Sequence, residues 1–490
     1  MYRWKLLQRV IGATLIVFLI GCSSSATTPN PLTTTPIPST PMPVPSTLTP
    51  TLVPPTQTLL PPSMIIQEGN NLPRTLLQAK PSRELADNRI GSLCHPPWCV
   101  RDETHINDEF FDLGLKGVLR LTLNEIESYS VEDWSTAEFY IAPHDDEWIN
   151  YVGRDITLAY TLSFWDKANH PSGWEGISSR FKTEEEIQRY LDYVRFIVNH
   201  FKDRIHYYEI WNEPDIGYPF QHIESADYIN LAERTIPVIR EIDPEAKIMV
   251  GGVSGFQNPN SREYLYEILK SDIMPMVDVV SWHPFFGASP QYDDVREYYY
   301  EYPSLVQQIK DLASVHGFKG EYRADELTWR TPLNADAGQP WTYSEITAAK
   351  YYARGIVSHL GMDVALGIMV DPRLIVIRST TGNLCTLMVG AKPEILSIEI
   401  QSQATNLMSY SFSLPNGDQL IMLWSNGVAV DDDPGVASIV TIPGFSDWNA
   451  TGMDVLNGFE QKLITSTENG NLIIRDLLIK DYPIIIRLSK

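Results

Sequence analysis

Cysteine, basic residues and long apolar runs are all scarce in this sequence. It contains 4 Cys among 490 residues, and its 38 Lys and Arg are outnumbered by 61 Asp and Glu, which gives a formal net charge of −23. So acidic a chain is unsuited to nucleic acid or an anionic membrane surface, and its charge favours neutral substrates or simply serves solubility. After the first residues no apolar stretch is long enough to cross a bilayer. The sequence therefore predicts a globular body of about 430 residues.

The first residues have the pattern of a bacterial export signal. Three basic residues among the first nine precede an apolar run over residues 10–20, which is too short to span a bilayer comfortably. Leu-Ile-Gly-Cys at 19–22 resembles a lipoprotein cleavage box, in which Cys22 becomes the lipidated first residue of the mature chain. We predict a signal peptide over residues 1–21 and membrane anchoring through Cys22. An ordinary signal peptide or a membrane anchor is the alternative, and every version exports the protein.

The segment after Cys22 has too few apolar residues to fold by itself. Ser, Thr and Pro make up 28 of the 40 residues from 23 to 62, and none of the 40 is charged. Such a segment cannot bury a core. We therefore predict an extended, partly polyproline stalk over residues 22–63, which lifts the folded part off a surface.

The other cysteines allow one short-range pairing. Cys94 and Cys99 would close a small disulfide loop in an exported protein, and the sequence leaves open whether they do. Cys385 would then be unpaired and buried. His95 follows Cys94, but no second pair of Cys or His residues stands nearby in sequence, so we expect no metal site.

Between residues 64 and 408 short apolar strands alternate with amphipathic helices. The helix predicted at 183–201 has a capping residue, Thr183, an acidic first turn and apolar residues at helical spacing. The eighth helix is predicted at 393–407. Eight alternations of this kind predict an α/β fold, the (β/α)8 TIM barrel. Its strands are expected at 89–93, 117–122, 157–162, from 207, and at 247–252, 277–282, 321–329 and 363–370.

The pattern changes from residue 409 to the C-terminus. Short alternating strands follow one another, and Asn-Gly pairs beginning at 416, 426, 457 and 469 mark the turns between them. We predict a small β-sandwich over residues 409–490 as an accessory domain.

The barrel is organised around residues 207–214, which read Tyr-Tyr-Glu-Ile-Trp-Asn-Glu-Pro. Aromatic and β-branched residues predict a short buried strand, and Pro214 ends it because proline has no N–H to give to a sheet ladder. Glu213 therefore stands at the strand's end. A carboxylate there with a purely structural role would cap the next helix. The Trp-Asn-Glu-Pro sequence resembles the acid/base motif of retaining (β/α)8-barrel glycoside hydrolases, among them β-xylosidase, α-L-iduronidase and cellulase-like families. This resemblance implies that Glu213 is the catalytic acid/base.

The same resemblance implies a nucleophile at the end of the seventh strand. Glu326 lies 113 positions after Glu213 (326 − 213), about the length of three strand–helix units, and is predicted to be that nucleophile. Asp325 and Glu321 compete with it, because a strand alternates its faces and only one parity looks into the barrel mouth. If Glu326 points inward, Asp325 faces the helices. A purely structural carboxylate is the remaining possibility.

Three polar residues are assigned by their positions at strand ends. Asn212 would bind the sugar hydroxyl next to the reacting carbon, and Arg120 would hold the nucleophile ionised unless it forms a helix-facing salt bridge. His283 would hydrogen-bond the sugar or a catalytic carboxylate, unless it is a satisfied core histidine. Glu209 is expected deeper in the barrel, paired with an arginine, without a catalytic role.

Aromatic residues near the strand ends are candidates for stacking on a sugar ring. Trp165, after the third strand, is the main one, and Trp98, Phe285 and Phe286 are others. Many relatives also carry a tryptophan at the end of strand eight, where this chain has Met-Val-Asp-Pro at 369–372. Either strand eight lies elsewhere, or the sugar site lacks the tryptophan on which a sugar ring would pack.

These features predict an exported retaining glycosidase that cleaves O-glycosidic bonds of oligo- or polysaccharides by double displacement. No metal, organic cofactor, nucleic acid or obligate protein partner is expected. The alternatives are a surface protein that binds carbohydrate on the same fold without cleaving it, and a transglycosylase that uses the same residues.

Overall fold

The computed structural model describes most of the chain after the stalk. The described residues are 64–94, 100–102, 105–106, 109–121, 132–133, 135–164, 166–170, 179–217, 221–335, 340–371 and 373–490. They belong to one compact unit. The predicted signal peptide and the whole stalk, with Cys22, lie outside them, as do Trp98, Cys99, Trp165 and the side chain of Cys94. Within the described ranges no helix is long and apolar enough to cross a membrane.

Eight parallel strands form a closed barrel, as the sequence predicts. Each strand pairs with its neighbours in chain order, and the sixth and seventh pair with each other, as do the eighth and first. The strands are β1 Ile90–Cys94, β2 Leu119–Leu121, β3 Leu158–Thr161, β4 Tyr207–Glu209, β5 Lys247–Val253, β6 Val279–Trp282, β7 Glu321–Thr328 and β8 Ala365–Ile368.

A helix follows each strand, which completes the (β/α)8 fold. Thr183 caps the third helix as predicted, because its side chain accepts a hydrogen bond from the Glu186 N–H. The helices are α1 Glu109–Asp112, α2 Pro143–Val152, α3 Glu184–Phe201, α4 Ser225–Ile242, α5 Pro259–Leu269, α6 Asp293–Val315, α7 Glu345–Gly361 and α8 Ile375–Leu387.

The predicted eighth helix at 393–407 is wrong. The helix lies earlier, at Ile375–Leu387, and buries Ile377, Thr380, Leu384 and Cys385 at helical spacing. Residues 393–407 instead contribute strands, because Ile398 and Ile400 alternate with Glu399 and Gln401 at the two-residue period of a sheet.

Two antiparallel sheets form the predicted β-sandwich, but it begins before residue 409. The earlier strands Arg74–Leu76 and Lys392–Glu394 form the two edges of its seven-stranded sheet, and Glu399–Gln401 forms one edge of its four-stranded sheet. The predicted boundary is therefore wrong at both ends of the barrel. The other strands are Leu407–Ser413, Gln419–Ser425, Val436–Pro443, Asn449–Asp454, Phe459–Lys462, Thr465–Glu468, Asn471–Ile479 and Ile484–Ser489.

A central strand of the larger sheet is buried on both faces. In the strand Gln419–Ser425, Leu420 and Trp424 pack with the barrel core, whereas Ile421 and Leu423 pack inside the sandwich. This alternation explains why the strand is apolar on both faces. The sandwich thus packs on the outside of the barrel.

Polar groups of α7 reinforce this contact. The Lys350 ammonium lies 2.7 Å from Asp481 Oδ1, and the Arg354 guanidinium donates to the main-chain oxygens of Asp481 at 2.8 Å and Gly427 at 2.7 Å. Both cations are 1% exposed. Buried charges of this kind are stable only when they are fully paired.

Candidate active site

The chain turns sharply where β4 ends. Trp211 and Glu213 have φ angles of 67° and 44°, in the left-handed region that residues with a Cβ rarely adopt. Hydrogen bonds hold this conformation, because the Glu213 N–H donates to the Gly252 oxygen at 2.9 Å and Trp211 Nε1 donates to the Gln221 oxygen at 2.9 Å. The turn lifts the Glu213 side chain to the mouth of the barrel, where it is 17% exposed.

A bulge in β5 makes room for that turn. The register with β6 shifts between Val250 and Val253, at Gly251-Gly252. Gly252 has φ 48°, and a Cβ there would lie 3.1 Å from Glu209 Oε1. Glycine therefore suits both the backbone conformation and the space beside β4.

Arg120 is the centre of the buried charge cluster. Its guanidinium is 1% exposed and donates to the carboxylate of Glu209 and to Asn212 Oδ1. It also donates to Glu326 Oε2 at 3.2 Å and lies 3.3 Å from Asp325 Oδ2. Arg120 thus faces the barrel interior, and the alternative of a helix-facing salt bridge does not hold.

Glu209 lies deep in the barrel against that arginine, as expected. It also accepts hydrogen bonds from the hydroxyls of Ser281 at 2.7 Å and Thr161 at 3.2 Å. Burial alone would raise the pKa of Glu209, but the Arg120 guanidinium lowers it below its ordinary value. Glu209 is therefore a buried anion that orients Arg120.

The expectation that Asp325 faces the helices is wrong. The register between β7 and β8 shifts between Ala324 and Leu327, so β7 carries an extra residue at this point. A bulge breaks the strict alternation of faces, and both Asp325 and Glu326 reach Arg120. Asp325 is 1% exposed, and the Glu326 side chain is 12% exposed at the mouth.

His283 joins the two predicted catalytic carboxylates. Its Nδ1 lies 3.1 Å from Glu213 Oε1 and 3.8 Å from Glu326 Oε2, while its Nε2 lies 3.7 Å from Asp325 Oδ1. Burial lowers the pKa of the imidazole, but Glu326 and the hydrogen bond with Glu213 outweigh burial and raise the pKa to about 9. His283 is therefore an imidazolium cation among carboxylates at neutral pH.

The two glutamates stand close enough to act on one bond. The facing atoms of Glu213, His283 and Glu326 all lie within 4.8 Å of one another. Burial raises the pKa of Glu326, and the charge of Glu213 adds to this, whereas His283 and Arg120 oppose it. Burial and Glu209 raise the pKa of Asp325 to about 7.

The same three side chains offer one ligand atom each to a cation. His283 Nδ1 also lies 3.1 Å from Glu213 Oε1, so the same atoms form a direct hydrogen bond without a cation.

The aromatic candidates differ in how deeply they are buried and in what they contact. Phe285 is 4% exposed and packs with Trp329 at 5.4 Å between ring centroids, so it belongs to the core. Phe286 is half-buried beside His283, at 6.0 Å. Trp341, in the loop after β7, packs against Gly287 and the core.

Sequence reasoning missed polar residues that support the site. Ser281 lies on β6, two positions before His283, which directly follows the strand, and the alternation of faces would have placed Ser281 toward the barrel interior and Glu209. Asp215 and Ser254 join the loops after β4 and β5, which no local pattern indicates. The end of β8 carries Met369 and Val370, so strand eight lies where it was expected and provides no tryptophan there.

Comparison with known families agrees with this arrangement. Residues 141–318 match the family model described as cellulase, glycosyl hydrolase family 5. The matched range includes Asn212, Glu213 and His283 and ends before Glu326. Over residues 141–318 the chain is thus similar to a glycoside hydrolase family, and its fold is the (β/α)8 barrel.

Individual relatives are distant. The chain is 31% identical over 96 residues to endo-1,4-beta-xylanase A of Thermotoga neapolitana, a match that covers 18% of this chain and 9% of the xylanase. A family 39 glycoside hydrolase from Bacteroides cellulosilyticus WH2 shares the fold with a TM-score of 0.58 and 13% identity, over 84% of this chain and 83% of that one. The GH51 arabinofuranosidase from Xanthomonas axonopodis pv. citri has a TM-score of 0.55 and 8% identity, over 85% and 99%. At these identities the structural likenesses concern the fold alone.

Proposed function

We propose that the protein is a retaining glycoside hydrolase in which Glu213 is the acid/base and Glu326 the nucleophile. The observation that carries this is the approach of the two carboxylates across the barrel mouth, with facing atoms within 4.8 Å. Retaining enzymes place their carboxyl groups about 5–5.5 Å apart, whereas inverting enzymes leave about 6.5–9.5 Å for a water molecule. The close pair favours double displacement.

In the first step Glu213 gives its proton to the glycosidic oxygen while Glu326 attacks the anomeric carbon. The bond to the leaving group breaks with its electron pair on that oxygen, and a glycosyl ester forms on Glu326. In the second step Glu213 removes a proton from water, whose oxygen attacks the same carbon and releases Glu326. Glu213 is then protonated and Glu326 ionised again, as before the first step.

The buried cluster supplies the electrostatics of both steps. Arg120 and His283 place positive charge beside Glu326, which favours the ionised nucleophile although burial raises its pKa. Like charges at this separation disfavour a doubly ionised Glu213–Glu326 pair. Asn212, held by Arg120, is assigned to the sugar hydroxyl beside the reacting carbon.

A covalent trap tests the assignment of the nucleophile. A panel of 2-deoxy-2-fluoro xylosides, glucosides and arabinofuranosides with good leaving groups should leave a glycosyl ester on Glu326, located by peptide mass spectrometry. Glu326→Gln should abolish labelling, and Glu213→Gln should leave the labelled residue unchanged. A label on Asp325 would show that the bulge presents the other carboxylate as nucleophile. Products of inverted anomeric configuration, seen by NMR, would contradict the retaining mechanism.

Two other activities remain candidates on the same fold. The absence of a tryptophan at the end of β8 favours a protein that binds carbohydrate without cleaving it, and binding of oligosaccharides without turnover would establish that function. Transfer of the glycosyl group to a sugar instead of water would identify a transglycosylase. Product analysis with added acceptor sugars separates these outcomes.

We also propose that the protein is exported and anchored at the cell surface through a lipid on Cys22. The basic and apolar N-terminal pattern and the Leu-Ile-Gly-Cys sequence support this. Cells grown with a labelled fatty acid should label the wild-type protein and leave Cys22→Ala unlabelled. Unlabelled wild-type protein released into the medium would indicate an ordinary signal peptide.

A further inference from the structure

A pair of hydrogen bonds joins the loop that carries Glu213 to the loop after β5. The Ser254 N–H donates to Asp215 Oδ1 at 2.7 Å, and the Ser254 hydroxyl donates to Asp215 Oδ2 at 2.8 Å. Both carboxylate oxygens of Asp215, two positions after Glu213, are thus bonded to one residue of the neighbouring loop. We call this pair of bonds the Asp215–Ser254 link.

The link continues to the other side of the site. The His283 N–H donates to the oxygen of Val253 at 3.1 Å, directly before Ser254, and the Phe256 N–H donates to the His283 oxygen at 2.9 Å. The main chain of His283 is therefore tied to the same loop as Asp215. Because the imidazole contacts both glutamates, this loop sets their relative position.

The Glu213 turn needs such support. Its positive φ is an unfavourable conformation for glutamate, and surrounding contacts must offset the cost. The hydrogen bond from the Glu213 N–H to Gly252 ties the turn to β5 from one side, and the Asp215–Ser254 link ties it from the other. Without the link, the turn would be free to relax away from the mouth.

We propose that Asp215 is a positioning residue that holds the acid/base Glu213 at its working distance from the scissile oxygen. This rests on the proposed function. Asp215 acts through the backbone, so its loss should impair proton donation and spare the attack by Glu326. A defect in proton donation has a specific signature, because a leaving group that is already a weak base does not require it.

The test compares two leaving groups on the sugar that the wild-type enzyme turns over. For Asp215→Ala we expect kcat/KM on a phenyl glycoside to fall about 30- to 100-fold, and on the 2,4-dinitrophenyl glycoside by less than about threefold. Asp215→Asn keeps an acceptor for the Ser254 N–H and should recover most of the loss. Ser254→Ala removes one of the two hydrogen bonds, and its loss of kcat/KM should lie between those of Asp215→Ala and Asp215→Asn. Equal losses on both substrates would overturn the proposal.

Asp278 provides the matched control. It accepts a hydrogen bond from the Ile248 N–H at 2.8 Å and pairs with Arg240, at the opposite end of β5 and β6 from the catalytic mouth. Asp278→Ala removes a similar carboxylate from the same pair of strands and should change kcat/KM on both substrates by the same factor. A leaving-group difference in this variant as large as in Asp215→Ala would show that general loosening is the cause.

A second measurement does not depend on activity. Hydrogen exchange of peptides that contain residues 211–216 should become faster in Asp215→Ala, because without the Asp215–Ser254 link the hydrogen bond from the Glu213 N–H to the Gly252 oxygen opens more often, and it should stay unchanged in Asp278→Ala. Unchanged exchange in Asp215→Ala overturns the positioning role. If the wild-type enzyme cleaves no glycoside, the proposed function fails, and hydrogen exchange alone decides the role of the link.

Discussion

Among the residues of the site, His283 has the clearest consequence for stability. Its folded pKa of about 9 lies above the ordinary histidine pKa of 6.5, so the folded state retains a proton that the unfolded state loses between these values. The stability contributed by His283 is therefore fully present below pH 6.5 and is lost as the pH rises through 9. The shift corresponds to about 3 kcal/mol as an order of magnitude.

We expect the difference in Tm between wild type and His283→Gln to be largest near pH 6 and to shrink as the pH approaches 9. His359→Gln is the control, since burial lowers the pKa of that equally buried histidine to about 4. The wild type should lose stability relative to His359→Gln as the pH falls from 6.5 toward 4, the opposite direction. Parallel pH profiles for the two variants would contradict the assigned charge of His283.

Single residues of the site differ in how far sequence could predict them. Glu213 follows from a rare four-residue motif, and Glu326 from its distance along a regular alternation of strands and helices. Asp325 could not be placed, because its orientation depends on a bulge that adds one residue to β7 relative to β8. A bulge results from pairing between strands, and the local sequence does not specify it.

At the scale of elements, the bulge in β5 couples backbone conformation to the site. For Gly252→Ala we expect a loss of about 1–2 kcal/mol from the positive φ, and additional strain because the new Cβ meets Glu209 and the Trp211 oxygen. Activity should fall at least tenfold, because the Gly252 oxygen accepts from the Glu213 N–H. Thermal unfolding and kcat/KM measure the two effects.

Gly470→Ala separates the backbone effect from the effect on the site. Gly470 has φ 81° in a two-residue turn of the sandwich, and a Cβ there would meet nothing within 4 Å. Its substitution should lower Tm similarly and leave activity unchanged. An active Gly252→Ala enzyme would mean that the bulge does not position Glu213.

The secondary structure was predicted wrongly where residue composition and the periodicity of apolar residues point to different elements. Residues 375–387 contain β-branched residues and Gly382, which lower helix propensity, yet their apolar residues recur at helical spacing. Residues 393–407 contain enough apolar residues to suggest a helix, but they alternate at period two. The strand Arg74–Leu76 pairs with Phe459–Lys462, far along the chain, and such pairing cannot be predicted from local sequence.

At the scale of the whole molecule, barrel and sandwich should unfold together. The seven-stranded sheet contributes Leu420, Met422 and Trp424 to the barrel core, and α7 inserts Lys350 and Arg354 against Asp481. Neither part could expose this contact without placing apolar side chains and buried charges in water. A chain that ends before the sandwich is therefore expected to be insoluble.

Asp481→Ala tests how strongly the buried ion pair holds the two parts together. It leaves the 1% exposed Lys350 without its carboxylate partner, and an unpaired buried charge costs about 3–5 kcal/mol. We expect a clear fall in Tm with a single unfolding transition, measured by calorimetry and tryptophan fluorescence. Glu468→Gln removes the exposed pair with Arg475 and should change stability by less than about 1 kcal/mol. Two separate transitions in Asp481→Ala would show that barrel and sandwich are independent folding units joined mainly by this ion pair.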